Sequence, residues 1–291
     1  MFSLRKILLP IDFSDRCRVV VHHTVPSLAT CFSSEVILLH VLPRYDEFGA
    51  AELGISLGEG WIAQRMMQAR HDLDSFVSKE LSQLSMKKVV IEGDPGRSIV
   101  EYAHSEHTDL IVMPTHGYGP VRKLLLGSVT AKVLHDASAP VWTGVHLDEE
   151  PVGDVMALKH ILCALDLKAH SETTLRWAKD LATAFHSSLT LLHVVSSFDP
   201  RMGAYSFAAD WQESMFDIAM AEIEKLQSKM GTRAKVHLEM GDVPRTVCSA
   251  AQELKADLLV IGRGAAVHGE GRLPMDAYSI VRQSPCPVVG V

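Results

Sequence analysis

The strongest constraint on this chain is that its second half repeats the order of its first. Lys159–Asp166 (KHILCALD) parallels Arg5–Asp12 (RKILLPID), and Leu189–Val194 (LTLLHV) parallels Val36–Val41 (VILLHV). Glu239–Asp242 parallels Ile91–Asp94, Ala256–Gly262 parallels Thr108–Pro114, and Cys286–Val288 parallels Ala139–Val141. The offset falls from 154 residues (Arg5 to Lys159) to 147 (Ala139 to Cys286), as expected of a duplicated domain with a slightly trimmed second copy. The expected division is a first domain over 1–147, a linker over 148–157 and a second domain over 158–291. The linker carries the acidic, proline- and glycine-bearing DEEPVGD.

Within each copy, short apolar runs alternate with longer amphipathic stretches. Arg5–Leu9 reads as a strand ending at Pro10-Ile11-Asp12, after which Ser14 can cap a helix towards Thr30, with Pro26 as a kink or early end. Glu35–Val41 is a second strand. After an irregular loop at 43–60, a helix follows with Ile62, Met66, Ala69, Leu73, Phe76 and Leu84 on one face. Lys88–Ile91 is a third strand, and Asp109–Val145 adds a strand, a helix and a fifth strand. Continuous apolar strands such as VILLHV and LIVM suit a parallel sheet covered on both sides. The predicted class is therefore α/β, with two tandem open parallel five-stranded sheets bearing helices on both faces. In such sheets ligands sit beyond the carboxyl ends of the strands, so Pro10–Asp12 and Met113–Gly117 are expected to line one crevice.

Composition narrows the function classes. A net charge of −7 argues against nucleic acid or an anionic membrane as the main partner. No apolar run approaches the roughly 20 residues that span a bilayer. The start, MFSLRKILLPIDF, reads as a first strand rather than a signal peptide. Five cysteines without a C-x-x-C pair suggest reduced thiols and a cytoplasmic location, with no zinc site.

The most informative segment is Asp109–Val145. An apolar run ends at Met113-Pro114, a glycine-bearing loop follows, and Gly127-Ser128 opens a helix. Backbone N–H groups at a helix N-terminus can hold an anion, and glycine lets it approach. Gly117, nine residues, then Gly127-Ser128 resembles the nucleotide-binding signature of the universal stress protein family, G-x-x-G-x(9)-G-[S/T], flanked by THG, LLLGSVTAKVL and APVW. Pro114 stands at the first glycine of that signature, and proline has a fixed φ and no N–H. The resemblance covers nearly the whole chain. It implies an adenine-nucleotide-binding fold of strand order 3-2-1-4-5, ATP with Mg2+ carried by the nucleotide, and a cytoplasmic role in stress adaptation. It also implies pairing of the copies through Val141–Val145 and Pro287–Val291. Homodimer formation and a regulatory protein partner stay open.

The site residues that follow are Pro10, Ile11, Asp12, Val41, Met113, Pro114, His116, Gly117, Gly127, Ser128, Val129 and Thr130. Each has a plainer reading beside the functional one. Asp12 can accept from ribose hydroxyls or can cap the helix that follows. Val41 and Met113 match positions that flank adenine in the family, or they are ordinary core. Gly127-Ser128 can hold phosphates, or Ser128 is merely an N-cap. His116, Arg122 and Lys123 can face phosphates or solvate a loop. His40, which recurs as His193, reads as structural. In the second copy the Gly-Ser pair falls on about Pro274-Met275 and the second glycine on about Ala265, so that site reads as lost or altered.

No Walker loop, nucleophile elbow or H-E-x-x-H is present, and no residue stands out as a general base. The expectation is a nucleotide-dependent regulator with slow or no hydrolysis, with no catalytic and no protein metal residues. The alternatives are a nucleotide-independent interaction module and a slow ATPase.

Overall fold

Ile7, Leu8 and Leu9 are fully buried, as are Leu110, Ile111 and Val112, and these two runs form neighbouring parallel strands. The computed structural model describes residues 2–44, 59–77, 83–114, 126–144, 158–196, 208–264 and 275–291. The chain divides into two units, Met1–Met156 and Ala157–Val291.

In the first unit the strands are β1 (Lys6–Pro10), β2 (Glu35–Leu42), β3 (Met86–Glu92), β4 (Leu110–Pro114) and β5 (Val141–Gly144). They pair in parallel in the order β3-β2-β1-β4-β5. In the second, β6 (His160–Ala164), β7 (Ser188–Ser196), β8 (Lys235–Gly241), β9 (Leu258–Ile261) and β10 (Val288–Gly290) pair in parallel in the order β8-β7-β6-β9-β10. Both are the expected 3-2-1-4-5 order. The chain leaves β1 towards β2 on one side, and β4 lies on the other. That reversal opens a crevice at the carboxyl ends of β1 and β4.

Helices α1 (Asp15–Val19) and α2 (Val25–Phe32) are joined by a π-helical turn at Val20–Thr24. Pro26 lies in the first turn of α2. The wider π turn absorbs the backbone bond that proline cannot make, so the helix continues through Pro26 to Phe32 instead of ending there. Helix α3 (Glu59–Phe76) buries Ala69, Leu73 and Phe76. It ends before Leu84, which lies in the connection to β3, and Ile62 in its first turn is 40% exposed. The expected inward face is thus shorter than its spacing suggested. Helices α4 (Pro95–Ser105) and α5 (Ser128–Asp136) complete this unit. The second unit carries α6 (Ser171–Phe185), α7 (Ala208–Met230), α8 (Val243–Glu253) and α9 (Met275–Gln283). No described helix is long and apolar enough to cross a membrane.

The duplication reaches the unusual backbone positions. Phe13 and Leu167 have φ of 63° and 56°, Ser33 and His186 have 54° and 53°, and His107 and Lys255 both have 52°. A left-handed conformation costs a non-glycine residue about 1 kcal/mol. Its recurrence at three matching places marks one inherited chain path. Asp94 and Asp242 likewise cap α4 and α8 with the same φ and ψ of −72° and 120°.

Candidate functional site

The crevice of the first unit begins where β1 ends. Ile11, 4% exposed, continues the strand's bonding through its N–H to Leu39 O at 2.8 Å. Phe13 then turns left-handed and brings Ser14 back beneath Asp12. Asp12 Oδ1 accepts from the Ser14 N–H at 3.0 Å and from its hydroxyl at 2.6 Å. Ser14 Oγ in turn accepts from the Cys17 N–H at 3.2 Å, capping α1. The carboxylate therefore acts on the helix through Ser14. Among the described residues, both hydrogen bonds to the Asp12 side chain go to Oδ1, and the residue is half-buried.

Two neighbours fix this turn. His40 Nδ1 donates to Ile11 O at 2.7 Å, and its ring lies 4.5 Å from that of Phe13. The carbonyl can only accept, so this bond sets the tautomer. His193 makes the same bond to Leu165 O at 2.8 Å. These histidines hold strand ends together, as the sequence reading had it. The Cys17 thiol is aimed at Pro10 O, and burial, with Asp12 adding to it, pushes its pKa up to about 12. A buried thiol so far from ionisation is no nucleophile.

The walls are apolar. Pro10, Ile11, Val41, Met113 and Pro114 are all buried, which fits equally an adenine-sized slot or ordinary core. Pro114 is the last residue of β4, in register with Gly144 of β5. The matching Gly262 of the second unit does not have a positive φ, so its place in the fold does not call for the left-handed backbone that only glycine adopts freely. His116, Gly117, Arg122 and Lys123 lie outside the described residues.

The far side is the start of α5. Its N-cap is Gly127, with φ −59° and ψ 143°, and no side chain caps it. Ser128, exposed, is the first helical residue rather than the cap. The first intrahelical bond runs from Ala131 N to Gly127 O at 2.8 Å, so the N–H groups of Ser128, Val129 and Thr130 have no acceptor within the helix. Thr130 is buried, and its hydroxyl donates to Pro114 O at 3.1 Å, which ties this turn to the end of β4. By contrast α1, α4 and α8 are capped by Ser14, Asp94 and Asp242.

Sequence reasoning gave Ser14 as the helix cap but missed its bonds to Asp12 and the bond that positions Thr130. The Asp-x-Ser spacing is the signal for the first, since aspartate readily bonds backbone two residues on. Nothing local signals the second.

In the second unit the same end of the sheet opens into a cavity of about 810 Å³ lined by Asp166, Val194, Glu222, Ile261, Gly262 and Asp276. That is within the usual range for small-molecule sites. Asp166 repeats the carboxylate turn, accepting from Lys168 N and Ser171 Oγ. The phosphate end differs. Helix α9 starts with Met275 and Asp276, an acid that answers the helix dipole itself. Among the described residues, no group of three or more His, Cys, Asp or Glu is placed to hold a metal ion.

The model of the universal stress protein family matches this chain twice, over residues 3–143 and 157–291. The chain belongs to the universal stress protein family. Among its curated relatives, universal stress protein MJ0577 of Methanocaldococcus jannaschii is 32% identical over 150 residues, which is 47% of this chain and 92% of that protein. A universal stress protein of Thermus aquaticus is 43% identical over 140 residues, 47% of this chain and 96% of its own length. Each therefore matches about half of this tandem chain. A solved universal stress protein from Archaeoglobus fulgidus covers 99% of this chain and 96% of its own at 25% identity, with a TM-score of 0.69. This universal stress protein thus shares its two-unit length with a relative of known structure.

Proposed function

We propose that the first unit of this universal stress protein binds an adenine nucleotide, ATP with its Mg2+, and that occupancy regulates a partner in a cytoplasmic stress response. The observation that carries the reading is the start of α5, which no side chain caps and which Thr130 ties to the end of β4, the strand next to the one that Asp12 follows. Phosphates would take the N–H groups of Ser128, Val129 and Thr130, with Gly127 admitting close approach. The second oxygen of Asp12 would accept from ribose hydroxyls, and Val41 and Met113 would flank the base. Pro10, Ile11 and Pro114 complete the walls, and the loop bearing His116 and Gly117 would supply further contacts. Mg2+ would lower the charge on the phosphates and arrive with the nucleotide.

Hydrolysis would be slow or absent. Of the described groups beside the crevice, Cys17 is buried and protonated, so its thiol is no general base. The second unit would act as the altered copy of the first. The test is a calorimetric titration of nucleotide-stripped protein with ATP and magnesium, repeated with AMP. One site per chain, lost in Gly127→Val, supports the reading. Absence of heat, with no nucleotide released on denaturation, returns the protein to the class of nucleotide-independent interaction modules.

A further inference from the structure

The N-terminal edges of β6, β7 and β8 border a groove of about 910 Å³, at the end of the second sheet away from its carboxyl crevice. Its charged lining is Lys179, Arg233 and Lys235, joined by His160, His186 and His237, and among the described residues no carboxylate lines it. For a chain of net charge −7 that is a local reversal of sign.

The first unit shows the same edge neutralised. Lys87 pairs with Ile37 in β2 and Lys235 with Thr190 in β7, so the two lysines occupy one register position. Glu106, the C-cap of α4, holds Lys87 at 2.8 Å and Lys6 at 2.9 Å. Leu254 is the C-cap of α8 in its place, and Ser188 stands in β7 where Glu35 stands in β2. The second unit has lost both acids, kept the lysine and gained Arg233 where the first has Ser85.

Three other groove side chains are anchored. Lys179 gives one N–H to Met230 O at 2.6 Å, His160 bonds Leu254 O and Thr190 Oγ1 at 2.9 Å each, and His237 meets Glu239. The side chains of Arg233 and Lys235 are exposed and form no hydrogen bond or ion pair with the described residues. Lys235 opens β8 and Arg233 stands two residues before it, so two cations border one groove. Two neighbouring cations suit charge spread over linked phosphates better than a single carboxylate, and arginine matches phosphate oxygens two at a time.

We propose that this groove binds a small polyphosphate anion, free or carried on a small molecule, against Arg233 and Lys235. The inference does not rest on the nucleotide reading of the first unit. Calorimetric titration with inorganic tripolyphosphate, in wild type and in Gly127→Val, tests it. Binding should survive Gly127→Val and weaken about tenfold or more in the surface variant Arg233→Gln/Lys235→Gln. Leu254→Glu, which restores the acid of the first unit, should do the same. Tighter binding of ATP than of tripolyphosphate in the Gly127→Val chain would assign the phosphates to a carried form, and equal binding to the free anion. Unchanged affinity in the double variant would overturn the proposal. So would binding of a single-stranded DNA oligonucleotide by a groove that ignores tripolyphosphate.

Discussion

The hydroxyl of Thr130 donates across 3.1 Å to the carbonyl of Pro114, joining the first turn of α5 to the last residue of β4. The two residues are 16 apart in sequence, and the loop between them carries much of the family's glycine signature. The bond fixes where the helix N-terminus stands relative to the strand end. Thr130→Val keeps the shape and removes a donor to a buried carbonyl, so stability should fall by about 1 kcal/mol in urea unfolding. ATP affinity should fall with it, and Thr130→Ser should recover both. A Val variant with wild-type stability and affinity would show that the loop, not this bond, places the helix.

Asp12 and Ser14 separate ligand binding from capping. Ser14→Ala removes the cap of α1 and should cost about 1 kcal/mol of stability. Asp12→Asn keeps an acceptor for Ser14 but loses the charge offered to a ribose. It should therefore weaken ATP binding more than it lowers the unfolding midpoint. Equal losses of stability in the two variants, with nucleotide affinity untouched, would reduce Asp12 to a helix-start residue.

The strands were legible because each is a continuous apolar run, and both halves show the same runs in the same order. Strand order came from the family resemblance, since nothing in the spacing of VILLHV and LIVM says which lies beside which. Details set by the backbone were hidden. Phenylalanine seldom adopts a left-handed conformation, so Phe13 gave no hint that Ser14 folds back under Asp12. Ser128 looks like a cap by residue type, yet the ψ of 143° at Gly127 puts the cap one residue earlier and leaves the helix start open. Leu84 continued the helical spacing of α3 in sequence while lying past its end. Pro26 should kink or end a helix, and the π turn before it explains why the helix continues.

The thiols should differ in reactivity in the native state. Cys31 is exposed, whereas Cys17, Cys163 and Cys286 are buried. Burial raises all three buried thiols, Cys17 to about 12 and Cys286 to about 11. Alkylation followed by peptide mass mapping should label Cys31 first, and Cys31→Ser should remove that fast phase. Labelling of Cys17 at the rate of Cys31 in folded protein would mean that α1 opens readily.

Glu106 supplies a pH signature. Hydrogen bonds from Lys87 and then Lys6 hold its carboxyl at about 2, against an ordinary value of 4.5. A carboxylate depressed by folding contributes its stability above the unfolded value and loses it as pH falls through the folded one. The contribution is therefore whole above about 4.5 and fades towards about 2. The side chain is 25% exposed, and solvent screening makes the effect modest. Urea midpoints measured across that window should decline less steeply in Glu106→Gln than in wild type. Leu254 occupies the matching cap, so Leu254→Glu should add a second decline in the same window, provided its carboxylate reaches Lys235. Parallel curves for wild type and Glu106→Gln would place both lysines in solvent. They would then remove the contrast between a neutralised edge in the first unit and a cationic one in the second.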